Sequence, residues 1–304
     1  MTSWVHALRV PTAQLIAAVA PSAVAVSAVQ CADHPADEHC RYRVAWSINP
    51  HMSIGSVDFT QAAAEHAALV TALEATGTTV LRLPFVHGAY DSVFTKDPAL
   101  LLYRRGRNRA LLARFHHVER RQERDARAHY YERQGYEIVS DDRCPRWEGG
   151  DVVMLPSGQS LCFGHGFRSE YAAAAWLERQ AGVSVWPLEL CDPHLYHLDT
   201  ALAILPNGIA LVCPTALTPQ SLSVLERVPG VRRLIMISRQ SAVRFALNLV
   251  AVGDTIVLGS HDRHIEALVE SLGYRCVVVP LRQFHLAGGS AACLVATVHR
   301  DPAE

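Results

Sequence analysis

The chain has 304 residues; half are hydrophobic, 19% are charged, and the formal net charge is −1 at pH 7. That balance excludes a disordered chain and leaves no basic field to hold nucleic acid or an anionic membrane. Eight cysteines are scattered without a C-x-x-C pair, several inside apolar runs, so we expect free thiols in a reducing cytoplasm and no structural metal.

Residues 10–30 are apolar and alanine-rich but interrupted by Pro11, Gln14, Pro21 and Gln30, which reads as a first helix and strand rather than a cleaved leader. The polar stretch 32–41 is a candidate lid loop. Helices are expected near 59–76, 115–134, 168–181, 219–228 and 262–272. Asp58 and Thr218 stand at N-cap positions, and Pro219 suits the first helical turn. Each helix ends at a glycine (Gly77, Gly135, Gly182, Gly230, Gly273) and is followed by a β-branched run. Paired apolar runs lie between the helices: 151–155 with 160–163 across Pro156-Ser-Gly, 201–205 with 209–213 across Pro206-Asn-Gly, and the runs flanking Gly253-Asp. Such dipeptides between apolar runs signal hairpins. The glycines are 58, 47, 48 and 43 residues apart, a spacing that marks a repeated supersecondary unit. Each unit reads strand, hairpin strand, helix, strand, which makes an α/β fold. No linker-like stretch divides the chain, so residues 1–304 are expected to form a single domain.

Chemical residues recur at a similar phase in these units. Asp97 lies 20 residues after its glycine, Glu148 13 after, His197 15 after and Cys293 20 after. In a closed pseudo-symmetric ring, residues at one phase converge on the centre. Asp91 and Asp97 bracket Val93-Phe-Thr, and strand alternation would put both on one face. A polar strand end followed by an Asp97-Pro turn is the plain alternative. Glu148-Gly-Gly-Asp151 offers two carboxylates able to hold a planar cation, with glycines that permit close backbone approach; a structural loop is the alternative. His197 and Asp199, two apart before a strand, are expected to face the same way. Cys293 follows Gly288-Gly-Ser-Ala-Ala, which is expected to leave the thiol accessible at a strand's start, although a cysteine among alanines is ordinarily a small core residue. The His and Cys residues lack metal-ligand spacing, and neither a G-x-S-x-G elbow nor a phosphate-binding glycine loop is present.

In this order, Phe94-Thr-Lys-Asp-Pro98, Glu148-Gly-Gly-Asp151, His197-Leu-Asp199 and the late Cys293 resemble the motifs of the guanidine-modifying superfamily, the pentein fold. That superfamily holds arginine deiminases, dimethylarginine dimethylaminohydrolases and amidinotransferases, and the likeness covers roughly residues 80–300. It implies a five-bladed, pseudo-symmetric ββαβ propeller. It implies Cys293 as nucleophile, His197 as general acid/base, and Asp97 and Glu148 as the grip on the guanidinium. By the same resemblance Asp91, Asp199, Asp151, Arg168 and Arg120 bind substrate, the two arginines at its carboxylate. No metal or organic cofactor is implied.

The expected partner is a small guanidino compound, with no nucleic acid and no membrane; a homo-oligomer stays open. The implied activity is hydrolysis of arginine or a modified arginine through a covalent thiouronium. Asp199, as in deiminases, favours an unmethylated guanidine, whereas Asp91-Ser-Val-Phe94 and the chain length resemble dimethylargininases. Lys96 stands where many dimethylargininases carry glutamate, and Ala292 where amidinotransferases carry histidine. Transfer of the amidine to an amine, and non-catalytic binding of arginine-like ligands, are the alternatives.

Overall fold

The computed structural model describes residues 23–300; the helix expected before them lies outside this range. The chain runs β1 (Ala23–Ser27), α1 (Phe59–Glu74) and β2 (Thr79–Leu83), then β3 (Ala99–Arg104), β4 (Arg107–Leu112), α2 (Arg121–Arg133) and β5 (Glu137–Val139). Next come β6 (Val152–Met154), β7 (Ser160–His165), α3 (Ala173–Ala181) and β8 (Ser184–Glu189). A helical turn α4 (Leu198–Ala201) leads into β9 (Leu202–Ile204), β10 (Ile209–Val212), α5 (Pro219–Leu225) and β11 (Arg233–Met236). Then follow α6 (Arg239–Val243), β12 (Val250–Val252), β13 (Thr255–Leu258), α7 (Arg263–Ser271) and β14 (Arg275–Val278). Two short helices, α8 (Arg282–His285) and α9 (Ala291–Leu294), precede β15 (Val295–Arg300).

Pairing repeats five times. In each unit an antiparallel pair is joined by a helix to a third, parallel strand: β3·β4 with β5, β6·β7 with β8, β9·β10 with β11, and β12·β13 with β14. The fifth unit is assembled from both ends of the described chain, β15 antiparallel to β1 (Ala25 opposite Ala296) and β1 parallel to β2. The α/β class and the ββαβ units are therefore as expected. Five separate blades are not: β15 also pairs parallel to β3, Val298 opposite Leu101, fusing two units into one six-stranded sheet beside three three-stranded ones.

Local chemistry explains the boundaries. The side chain of Asp58 accepts from the Gln61 amide and that of Thr218 from the Ser221 amide, capping α1 and α5. Gly182 closes α3 at φ 66°, a left-handed conformation that costs a β-carbon residue energy. Two predicted helices start late, because residues 115–117 and 168–172 are spent on the approach to the site.

Candidate active site

In four units the first strand is preceded by a short helical turn, and the candidate side chains sit in or beside those turns. The first is the 3₁₀ turn Tyr90–Val93 before β3, the second Gly149–Asp151 before β6, the third α4 before β9 and the last α9 before β15. A stretch expected as strand around Val93 is thus helical, held by the Phe94 amide on the Asp91 carbonyl. Inserted turns place buried polar groups at strand mouths, where an extended chain would alternate them outward.

A small cavity of about 10 Å³, room for the centre of one water molecule, is lined by Asp91, Asp97, Arg120, Arg168, His197 and Cys293 among others. These six come from separate parts of the sequence, and the fold brings them together. His197 Nε2 lies 2.9 Å from Glu148 Oε2, and its Nδ1 lies 3.9 Å from Asp97 Oδ1. Glu148 also accepts from the His116 amide at 3.0 Å and from Arg168 Nη1 at 3.1 Å. Burial opposes charge on Glu148, but Arg168 and His197 outweigh it and hold the carboxyl well below its usual range. Burial likewise lowers the His197 imidazole, yet Asp97 and Glu148 carry it above its ordinary value, favouring the protonated form.

The thiol is buried, with Cys293 only 3% exposed, which corrects the expectation of an accessible sulfur. The glycines before it serve closure instead of access. A Cβ on Gly288 would meet Asn49 and the Tyr196 hydroxyl at 2.7 Å, and one on Gly289 would collide with the Phe94 ring. Cys293 Sγ lies 3.9 and 3.8 Å from the two Asp199 oxygens, and the nearer oxygen accepts from Lys96 Nζ at 2.8 Å. Burial pushes the thiol well up, and Asp199 adds to it, while Lys96 works the other way. His197 and Asp199 therefore serve different partners; the helical turn α4 replaces the expected strand alternation.

Three further residues already have partners within the chain. Arg120 is buried, paired through both of its ends with Glu123 at 2.8 Å and with Asp97 Oδ2 at 2.6 Å. Arg168 is equally engaged, by Glu148, by the Ile48 carbonyl at 2.9 Å and by the Tyr196 ring at 4.7 Å. Asp151 does not line the cavity. Its Oδ1 accepts from the Leu198 amide that opens α4 and its Oδ2 from Ser169 Oγ, whose oxygen in turn accepts from the Glu148 amide. It is a bracket between the Glu148 and His197 turns.

The glycines of Glu148-Gly-Gly-Asp151 do permit close approach. A Cβ on Gly150 would stand 2.5 Å from His197 Nδ1, and one on Gly149 would collide with the Lys96 carbonyl.

Asn248 was missed from the sequence. It is fully buried on the turn before β12, donates to Cys293 Sγ at 3.2 Å, and accepts from the amides of Ser290 and Cys293. It lies 18 residues after Gly230 (248 − 230), at the phase of the other four chemical positions. A lone amide in the apolar run Phe245-Ala-Leu-Asn-Leu-Val was the available signal, since a buried amide must find partners. Asp97 Oδ1 and Asp91 Oδ1 are buried without any hydrogen-bond partner. Asp91 Oδ2 takes the Trp46 indole N–H at 2.8 Å.

Fold and site together define an α/β protein with a buried thiol, an imidazole and a set of carboxylates around one small cavity. The family model described as N,N dimethylarginine dimethylhydrolase, eukaryotic, matches residues 55–300, and the chain belongs to that family. Over 210 residues it is 34% identical to the bifunctional arginine dihydrolase/ornithine cyclodeaminase ArgZ of Synechocystis sp., covering 68% of this chain but 29% of that protein, so it spans under a third of that relative. It is 30% identical over 260 residues to the N(G),N(G)-dimethylarginine dimethylaminohydrolase of Mycobacterium tuberculosis, covering 85% of this chain and 83% of the other. The crystal structure of the N-terminal domain of ArgZ bound to product superimposes with a TM-score of 0.83 at 29% identity, over 92% of this chain and 98% of that one. A variant of that domain is covalently bound to a reaction intermediate, with the same TM-score of 0.83. A dimethylarginine dimethylaminohydrolase adduct matches with a TM-score of 0.70 at 20% identity and supports the fold alone. No helix among the described residues is long and apolar enough to cross a membrane.

Proposed function

We propose that this chain is a cysteine-dependent hydrolase of the guanidino group of arginine or a close derivative, giving a citrulline-type ureido product and ammonia or an amine. The carrying observation is the pair of orphaned oxygens, Asp97 Oδ1 and Asp91 Oδ1, on side chains that line one cavity with Cys293 and His197. A buried carboxylate oxygen without a donor is costly, and a guanidinium at one and an ammonium at the other would satisfy both. We take the five units to surround one axis as the blades of a pentein propeller, and residues 1–304 to form one catalytic domain. The free thiols suit a cytoplasmic setting.

In this reading Asp97 and Glu148 hold the substrate cation, and Asp91 its amino group. Arg120 and Arg168 neutralise those carboxylates while the site is empty and turn toward the substrate carboxylate when it is filled. The arriving cation stabilises the thiolate of Cys293, which burial otherwise disfavours. Sulfur adds to the central guanidino carbon, and the C–N bond breaks as protonated His197 gives its proton to the leaving nitrogen. Water, deprotonated by His197, then attacks the thiouronium carbon; the C–S bond breaks and the thiolate is restored. Asp199, 3.8 Å from the sulfur, offers hydrogen bonds to N–H groups and none to N-methyl groups. Arginine is therefore the preferred substrate over dimethylarginine.

The test is a panel of arginine, methylarginines, agmatine and guanidinoacetate, with ureido product and ammonia both counted, because two relatives are named arginine dihydrolases. Added glycine or ornithine separates hydrolysis from amidine transfer. Faster turnover of dimethylarginine than of arginine would overturn the assignment to Asp199, and no turnover of any member would overturn the reading.

A further inference from the structure

Away from the cavity, the polar stretch 32–41 assembles a second donor set. Asp37, Cys40 and His87 each offer one ligand atom, and these atoms lie within 4.8 Å of one another. A fourth donor stands beside them: Cys31 is next to the antiparallel bridge between Gln30 and Arg41, its amide donates to the Cys40 carbonyl at 2.8 Å, and burial together with the neighbouring Cys40 thiol raises its own thiol to about 12. The donors come from two segments about 50 residues apart in sequence.

We propose that Cys31, Asp37, Cys40 and His87 form a binding site for a zinc-class divalent cation. Two thiolates, an imidazole and a carboxylate suit borderline-soft zinc and not the all-oxygen demands of magnesium or calcium. Tetrahedral zinc bonds of about 2.0–2.3 Å separate donor atoms by roughly 3.3–3.8 Å. The donors of Asp37, Cys40 and His87, within 4.8 Å of one another, therefore have to contract by about 1 Å, within reach of a side-chain rotation, and Cys31 would swing in from beside that trio. Asp37 can ligate through one oxygen: its Oδ1 accepts from the His39 amide at 2.8 Å, while Oδ2 lies 3.3 Å from His87 Nε2. His39 is not among the three grouped donors; its Nδ1 lies 2.6 Å from the Tyr90 hydroxyl. His87 is exposed and Cys40 fully buried, so the ion would enter from the surface past the imidazole. Binding releases the thiol protons to solvent. No metal-ligand spacing marks these residues in the sequence, because His87 is contributed from far along the chain. The consequence is mechanical: His87 stands three residues before the turn Tyr90–Val93 that carries Asp91, so the ion would tie the 31–40 loop to one wall of the active-site cavity.

Cobalt(II) titration of the full-length Cys293→Ser protein, kept reduced, is the test, since it removes the cavity thiol from the signal. One equivalent should give intense thiolate-to-cobalt absorption with the visible bands of a tetrahedral site, both displaced by zinc. Cys40→Ser should weaken the thiolate band, since Cys31 is then the one thiolate left in the set. Because Cys40 is fully buried and its variant can fail to fold, the exposed His87→Ala decides; its affinity should fall by at least tenfold, the lower end for disturbing even an outer partner of a metal site. Cys191→Ser, at an exposed cysteine elsewhere, should titrate like the parent. Absence of a thiolate band, or identical titrations for the parent and His87→Ala, would overturn the proposal.

Discussion

Lys96→Met should slow the reaction by removing the positive charge that Lys96 holds against Asp199. Lys96 Nζ is 2.8 Å from Asp199 Oδ2, and the same oxygen is 3.8 Å from Cys293 Sγ. The ammonium therefore stands at most 6.6 Å (2.8 + 3.8) from the sulfur. At an effective dielectric constant of about 20, the attraction between Nζ and a thiolate is roughly 332/(20 × 6.6), or about 2.5 kcal/mol. Losing it reduces the thiolate population roughly 70-fold at a pH where the thiol is mostly protonated. The readouts are kcat/KM for arginine across pH and the rate at which iodoacetamide alkylates Cys293, followed by peptide mapping. The variant should show a deficit of one to two orders of magnitude near neutrality, narrowing as pH rises and the thiol ionises. Lys96→Met combined with Asp199→Asn should regain most of the alkylation rate, because the uncompensated carboxylate is then gone. Equal alkylation rates for the parent and Lys96→Met would refute the electrostatic argument, whatever happened to turnover.

Asn248→Ala strips one donor from the sulfur and the acceptor from two buried amides, so it should cost about 2–5 kcal/mol of stability, measured by urea unfolding, and lower kcat at least tenfold in the fraction that stays folded. Gly150→Ala forces a Cβ to 2.5 Å from His197 Nδ1 and 2.9 Å from Asp97 Oδ1. Displacing the imidazole by about 1 Å should cost roughly 100-fold in kcat while circular dichroism stays that of the parent. Burial raises the Asp151 carboxyl to about 7. Its native value thus lies above its unfolded one, so the folded state keeps the extra proton. That contribution to stability is whole below about pH 4 and is lost as pH rises through about 7, a swing of order 4 kcal/mol. Asp151→Asn should flatten that part of the pH dependence of the urea midpoint between pH 4.5 and 7.5.

The repeat was readable because helix caps and hairpin turns are local chemistry. Asp58, Thr218 and the five glycines act within a few residues, and the fold places them where the sequence predicted. The pairing of β15 with β3 was not readable, since nothing near Val298 or Leu101 distinguishes a strand that ends a sheet from one that joins another. The candidate site was legible as a set of residue types at one phase, and five turns deliver it. What the sequence hid was the partner of each charge. Alternation suggested that His197 and Asp199 act together, but α4 sends one to Glu148 and the other to Lys96 and Cys293. Arg120 likewise reads as a free cation until Glu123, three residues on, is found folded back onto it. Asn248 was not legible because an amide in an apolar run carries neither a charge nor a nucleophile to mark it.

The central claim is that Cys293 forms a covalent bond with the guanidino carbon of the substrate. Acid quenching during turnover of arginine, followed by mass spectrometry of the intact protein and its peptides, measures this directly. The expected result is a substrate-dependent mass increase confined to the peptide carrying Cys293 and missing from Cys293→Ser, which should also be inactive. Steady turnover without any adduct on that peptide, or full activity in Cys293→Ser, would contradict it.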